Sequence, residues 1–144
     1  MKKIIFLVTS LFMISFAKAD TNISLKNYLD AKSIEDGKTQ IYLLNRCSAI
    51  YAYASAIILK TDAVSSKSFI EISNNLLFKS VELTIIEEEK KLEEVQKKAE
   101  EIRKELFNNY IADGKKNWEK NKSHFKGSYI ANDMTICSKL TEEK

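Results

Sequence analysis

Few side chains in this sequence are of the kinds that make and break bonds. Cys47, Cys137 and the single histidine, His124, are all that a thiol nucleophile or a soft metal site could draw on. Neither cysteine has a Cys-x-x-Cys neighbour, the usual redox spacing. A zinc site takes four ligands, and one histidine with two cysteines does not supply them. A serine or cysteine nucleophile needs a base, and only His124 is available. No glycine-rich phosphate loop, Gly-x-Ser-x-Gly elbow or haem-attachment motif is present. The chain therefore reads as non-catalytic, with no cofactor and no metal.

The chemistry left for the cysteines is a bond to each other. An even count in an exported chain implies a disulfide, here the one pairing Cys47–Cys137. Closing a loop of about 90 residues stabilises a fold by roughly 4–5 kcal/mol in the chain-entropy account.

Two other groups have binding chemistry. Tyr51 and Tyr53 sit in an otherwise apolar run, and their hydroxyls need partners if buried. They are a candidate ligand pocket, set against plain core packing. Residues 115–126 read KKNWEKNKSHFK, with Lys115, Lys116, Lys120, Lys122 and Lys126 around Trp118. That segment could contact an anionic surface. The alternative is a last amphipathic turn, with Trp118 and Phe125, seven apart, sharing a core-facing side.

These groups must be positioned by helices. The chain has no proline and three glycines, which disfavours many turns. A first strong helix is expected at about 38–60, where Leu43, Leu44, Cys47, Ile50, Tyr51, Ala54, Ile57 and Ile58 recur at helical spacing. Its small side, Ser48, Ala49, Ala52, Ser55 and Ala56, would admit another helix closely. A short helix before Gly37 and a connection at 61–67 flank it, with Thr61, Asp62, Ser65 and Ser66 offering caps.

One long helix is expected at about 68–112. Its first half is broadly apolar. Its second half is charged, with a narrow 3-4 seam of Leu92, Val95, Ala99, Ile102 and Leu106. Glu87–Lys91, Glu93–Lys97, Glu94–Lys98 and Glu100–Lys104 are favourably ordered i,i+4 pairs. The seam either rests on its own domain or pairs with a second chain through 87–106. Asp113-Gly114 should end this helix, and Asp133 should cap a short last one at 134–140. The expected architecture is all-α: an antiparallel bundle of three to four helices with one long charged helix, closed by the disulfide.

Residues 1–19 read as a cleavable signal peptide. Lys2 and Lys3 precede an uncharged, mostly apolar run, and Ala17-Lys18-Ala19 puts small residues at −3 and −1. The run is short for a membrane span. Cleavage leaves one domain, 20–144, exported, with the periplasm as its expected destination. The formal charge of +3 comes from 23 Lys+Arg against 20 Asp+Glu. Lys2, Lys3 and Lys18 account for that excess. The mature chain is therefore neutral and gives no reason to expect nucleic acid. No transmembrane segment is expected after the leader.

The expected function is an exported, non-catalytic interaction protein, chaperone-like or envelope-associated. Its expected partner is a protein or a second copy of itself. The alternatives are a small-ligand module at Tyr51 and Tyr53, or a lytic or inhibitory factor acting through 115–126.

Overall fold

A computed structural model describes residues 23–142. The leader lies outside the described residues. Five helices make up the fold, with no strand among the described residues: α1 (Leu25–Asp30), α2 (Gly37–Ile58), α3 (Ala63–Glu88), α4 (Leu92–Asn121) and α5 (Tyr129–Glu142). The all-α, disulfide-closed architecture is as expected, with different helix boundaries.

Side-chain caps open the first three helices. Ser24 accepts the Asn27 N–H, Asp36 that of Thr39, and Asp62 that of Ser65. Each satisfies one of the amides that a helix N-terminus leaves without a partner. Asp62 starts α3 early, so most of the expected 61–67 connection is helical.

Helix α2 is the centre. By length and composition it is apolar enough to cross a membrane, yet 61% of its apolar window is buried inside the protein. Helix α3 runs antiparallel along its small-residue side. Ser48 and Ser73 each donate a hydroxyl to the other's carbonyl, at 2.8 and 2.7 Å. Ser55 and Ser66 repeat the arrangement one heptad away, at 2.8 and 3.0 Å. Small side chains let the helices approach, and reciprocal bonds fix their register.

The long helix expected at 68–112 is two helices. It breaks at Glu89, whose backbone is left-handed (φ 51°) and whose N–H bonds the Ile85 carbonyl. No glycine marks this turn. The glutamates that close α3, Glu87, Glu88 and Glu89, oppose the helix dipole there. Folding back also lets Val95 and Ala99 of α4 pack on Leu77 and Val81 of α3. Of the 87–106 seam, Val95, Ala99 and Leu106 are buried within the chain, while Leu92 is exposed.

Helix α4 also runs past Asp113-Gly114. A mid-helix glycine costs about 1 kcal/mol. Here it is required, because a Cβ at Gly114 would lie 1.8 Å from the Tyr53 hydroxyl. Helix α5 starts before the expected residue 134 and packs on α2 and α1, so Asp133 is inside it rather than its cap. The Cys47–Cys137 disulfide, with Cα atoms 5.3 Å apart, ties α5 to α2.

Candidate functional site

Next to the disulfide lies a polar cluster that the sequence reading did not assemble. Arg46 precedes Cys47 on α2, and Asp133 is one turn before Cys137 on α5. Both are almost fully buried and form an ion pair at 2.7 Å. Asp133 Oδ2 also accepts from Arg46 Nε at 3.1 Å and from the Tyr110 hydroxyl at 2.7 Å. Its Oδ1 accepts the Leu25 N–H at 2.7 Å, which caps α1 from the far end of the chain. The same Arg46 Nε–H is shared with the Tyr110 hydroxyl at 2.6 Å, and Nη1 donates to the Tyr42 hydroxyl at 2.9 Å. The rings of Tyr110 and Tyr129 lie 5.1 and 5.7 Å from the guanidinium carbon, within cation–π reach.

Burial alone would lower the Arg46 pKa, but the oxygens of Tyr110 and Asp133 turn the shift upward. Burial also pushes the Tyr110 hydroxyl well above its usual range, so it stays a donor. Arg46 Nε, Nη1 and Nη2 and both Asp133 oxygens are all hydrogen-bonded within the protein. This is a structural clasp joining α1, α2, α4 and α5, not a reaction centre. Its one sequence signal is Arg46, the single charge breaking into the apolar run of α2. Asp133 gives no such signal, because an aspartate near a helix start reads as a cap.

The structure separates Tyr51 and Tyr53. Two residues apart on a helix, they point to different sides of α2. Tyr51 is buried against Phe69 and shares a hydrogen bond with Thr141 at 3.0 Å. Tyr53 is buried against Tyr110 and Phe125, and its hydroxyl meets His124 Nδ1 at 3.1 Å. Both side chains thus pack in the core with their hydroxyls partnered, the reading set against a pocket there.

Residues 115–126 are the last turns of α4 and the loop after it. Lys115, Lys116, Lys120, Lys122 and Lys126 are all exposed. Trp118 and Phe125 do not share a core-facing side. Helix α4 ends before Phe125, at Lys122, which is left-handed (φ 55°). Phe125 packs on the core. Trp118 is 47% exposed, with the His124 ring stacked on it at 5.0 Å. Asn117 holds the loop by donating to the carbonyls of Ser123 and Lys126, at 2.7 and 3.0 Å.

One of several open, partly apolar grooves lies between α2, α3 and α4. Arg103 of α4 bonds Asn74 of α3 at 2.8 Å. Beyond that tie a groove of about 560 Å³ opens between Ile70 of α3 and Phe107 of α4. Ala52, Ser55 and Ala56 of α2 floor it, Leu59 closes one end, and Glu100, Arg103 and Lys104 line its α4 edge. Leu59 and Ile70 are 58% and 38% exposed. The small-residue side of α2 is thus used twice: its serines hold α3, and Ala52 and Ala56 line the groove.

No group of three or more His, Cys, Asp or Glu that could hold a metal occurs among the described residues. In comparisons with known proteins, the chain matches no family model, no curated protein and no solved structure.

Proposed function

We propose that this chain is an exported, non-catalytic helical protein that binds a partner protein, taking an acidic amphipathic helix into the groove between α2, α3 and α4. The observation that carries this reading is the groove's composition. An alanine floor lets a second helix come close, as it does in tight helix pairs. Leu59, Ile70 and Phe107 offer apolar contacts, and Arg103 and Lys104 place two cations beside a single glutamate. From Ala52 to Leu59 the floor spans roughly 10 Å at 1.5 Å per residue, about two helical turns. Two turns present apolar anchors at i, i+3 or i+4, and i+7. So small a contact makes a weak, exchanging complex. Export rests on the leader pattern of 1–19, and the disulfide is consistent with an oxidising compartment.

Fluorescence anisotropy of a labelled acidic amphipathic peptide tests this. Saturable binding is expected, and Ala56→Trp, which plugs the floor, should abolish it. Binding unchanged by the plug would reject the groove.

A second reading has its own observation. Trp118 stands half-exposed among Lys115, Lys116, Lys120 and Lys122. This reading places that end of α4 on an anionic envelope surface. Replacing those lysines with glutamine should then abolish binding to anionic vesicles, and unchanged binding would reject it.

A further inference from the structure

Charge is sorted along the axis of the bundle. Helices α2 and α4 run the same way: Ile41 and Val95 line one cleft near their starts, and Tyr53 meets Gly114 toward their ends. Helix α3 runs back between those ends, with Ser66 bonded to Ser55 and Glu87 against Gly37. The start of α2 and the α3–α4 turn therefore form one pole. There, residues 87–94 carry five glutamates against two lysines.

The α2–α3 turn and the end of α4 form the other pole, joined where the Tyr53 hydroxyl meets His124 and its ring meets Phe125. This pole carries seven lysines, Lys60 and Lys67 beside the turn and five within 115–126, all of them exposed. Only Asp62, Asp113 and Glu119 accompany them in these two segments, so the pole is cationic. Leu59, Val64 and Trp118 also stand out into solvent here, Val64 at 83% exposure. The sequence keeps Val64 and Trp118 far apart, and the fold brings them to one end.

We propose that this pole docks on an anionic lipid bilayer through both segments, with Leu59, Val64 and Trp118 entering the headgroup layer and the lysines meeting lipid phosphates. This rests on the second reading above, which uses the end of α4 alone. Clustered lysines are drawn to an anionic leaflet, and tryptophan settles at the headgroup level. A soluble polyanion would satisfy the lysines and leave the three apolar tips in water, whereas a bilayer takes both. The same surface repels the acidic pole, so the bundle stands upright on it.

The test titrates the disulfide-bonded chain with vesicles of mixed phosphatidylglycerol and phosphatidylcholine, and with heparin as a soluble polyanion. Vesicles should shift the emission of Trp118, the one tryptophan, to the blue. Lys60→Gln/Lys67→Gln should weaken vesicle binding about thirtyfold, and Val64→Ser should weaken it too. Lys91→Gln/Lys97→Gln, the same loss of charge toward the acidic pole, should leave it unchanged. Leu59 is left alone because it also closes the groove. In bicelles of the same lipids, a spin-labelled lipid should broaden the amide signals of the unaltered chain at 59–67 as well as at 115–126, which needs no variant to fold. Broadening at 115–126 alone, or binding lost with the lysines of α4 yet untouched by the Lys60/Lys67 and Val64 variants, would overturn the two-segment face and leave the second reading standing. No binding to anionic vesicles would overturn both. Heparin binding without a tryptophan shift on vesicles would overturn the bilayer as the partner.

Discussion

Replacing Asp133 with asparagine keeps the shape and removes the charge that answers Arg46. The Asp133 carboxylate accepts four hydrogen bonds, from the Leu25 N–H, Arg46 Nε and Nη2, and the Tyr110 hydroxyl. Removing one partner of a buried pair costs about 3–5 kcal/mol, because the other charge is stranded. Two features favour the low end. The substituted amide still offers an acceptor to the Leu25 N–H, and the Tyr110 and Tyr129 rings still flank the guanidinium. Those ring faces attract a cation in their own right. A loss of about 3 kcal/mol is expected, against a typical total of about 5–15 kcal/mol. At roughly 4 °C per kcal/mol for a domain of this size, the melting temperature should fall by about 12 °C. Urea melts followed by circular dichroism give the free energy, and calorimetry the temperature. The double variant Arg46→Met/Asp133→Asn should be more stable than Asp133→Asn alone, since no charge is stranded. A single-variant loss below about 1 kcal/mol, or a double variant no better than the single, would refute the reasoning about a charged clasp.

Gly114→Ala should destabilise, although alanine is the better helix former, because its Cβ would meet the Tyr53 hydroxyl at 1.8 Å. A loss of about 1–3 kcal/mol, partly relieved by adding Tyr53→Phe, is expected in urea melts; a stabilised variant would show that the helices part freely there. Burial pushes the Tyr53 hydroxyl from 10.0 up to about 12. The fold favours its neutral form, so this contribution is full below about pH 10 and fades as pH rises from about 10 to about 12. Tyrosine absorbance and circular dichroism should therefore change together in that window, whereas Tyr53 titrating at its ordinary value in an intact fold would contradict its burial. Removing the disulfide with Cys47→Ala/Cys137→Ala should cost roughly 4–5 kcal/mol in the chain-entropy account. The helices should persist at room temperature because Arg46–Asp133 still holds α5, and an unchanged melt would mean that the bond adds nothing.

The fold was legible where one local signal coincided with one packing demand. The polar residues at 61–66 announced caps for a following helix, though not that it begins as early as Ala63, and the apolar run from Cys47 announced the central helix. The α3–α4 turn was not legible. Glu89 is an ordinary helix former, and only the packing of Val95 and Ala99 on Leu77 and Val81 makes it turn. Gly114 misled in the opposite sense, being a glycine kept for close approach rather than for a turn. At the candidate sites, the small-residue side of α2 foretold a close helix neighbour. It did not foretell that the serines would take α3 and leave Ala52 and Ala56 open, because that division depends on the α2–α3 register. The Arg46–Asp133 pair was hidden by its 87-residue separation.

The measurement that bears most directly on the proposed role is a charge-reversal comparison on the unaltered, oxidised chain. Two amphipathic peptides with the same apolar stripe, one acidic and one basic, are titrated at low and at physiological salt. The account predicts saturable binding of the acidic peptide, weakened by salt and by Arg103→Glu/Lys104→Glu, with the basic peptide bound far more weakly. Equal binding of both peptides, or of neither, would contradict a groove built for an acidic helix.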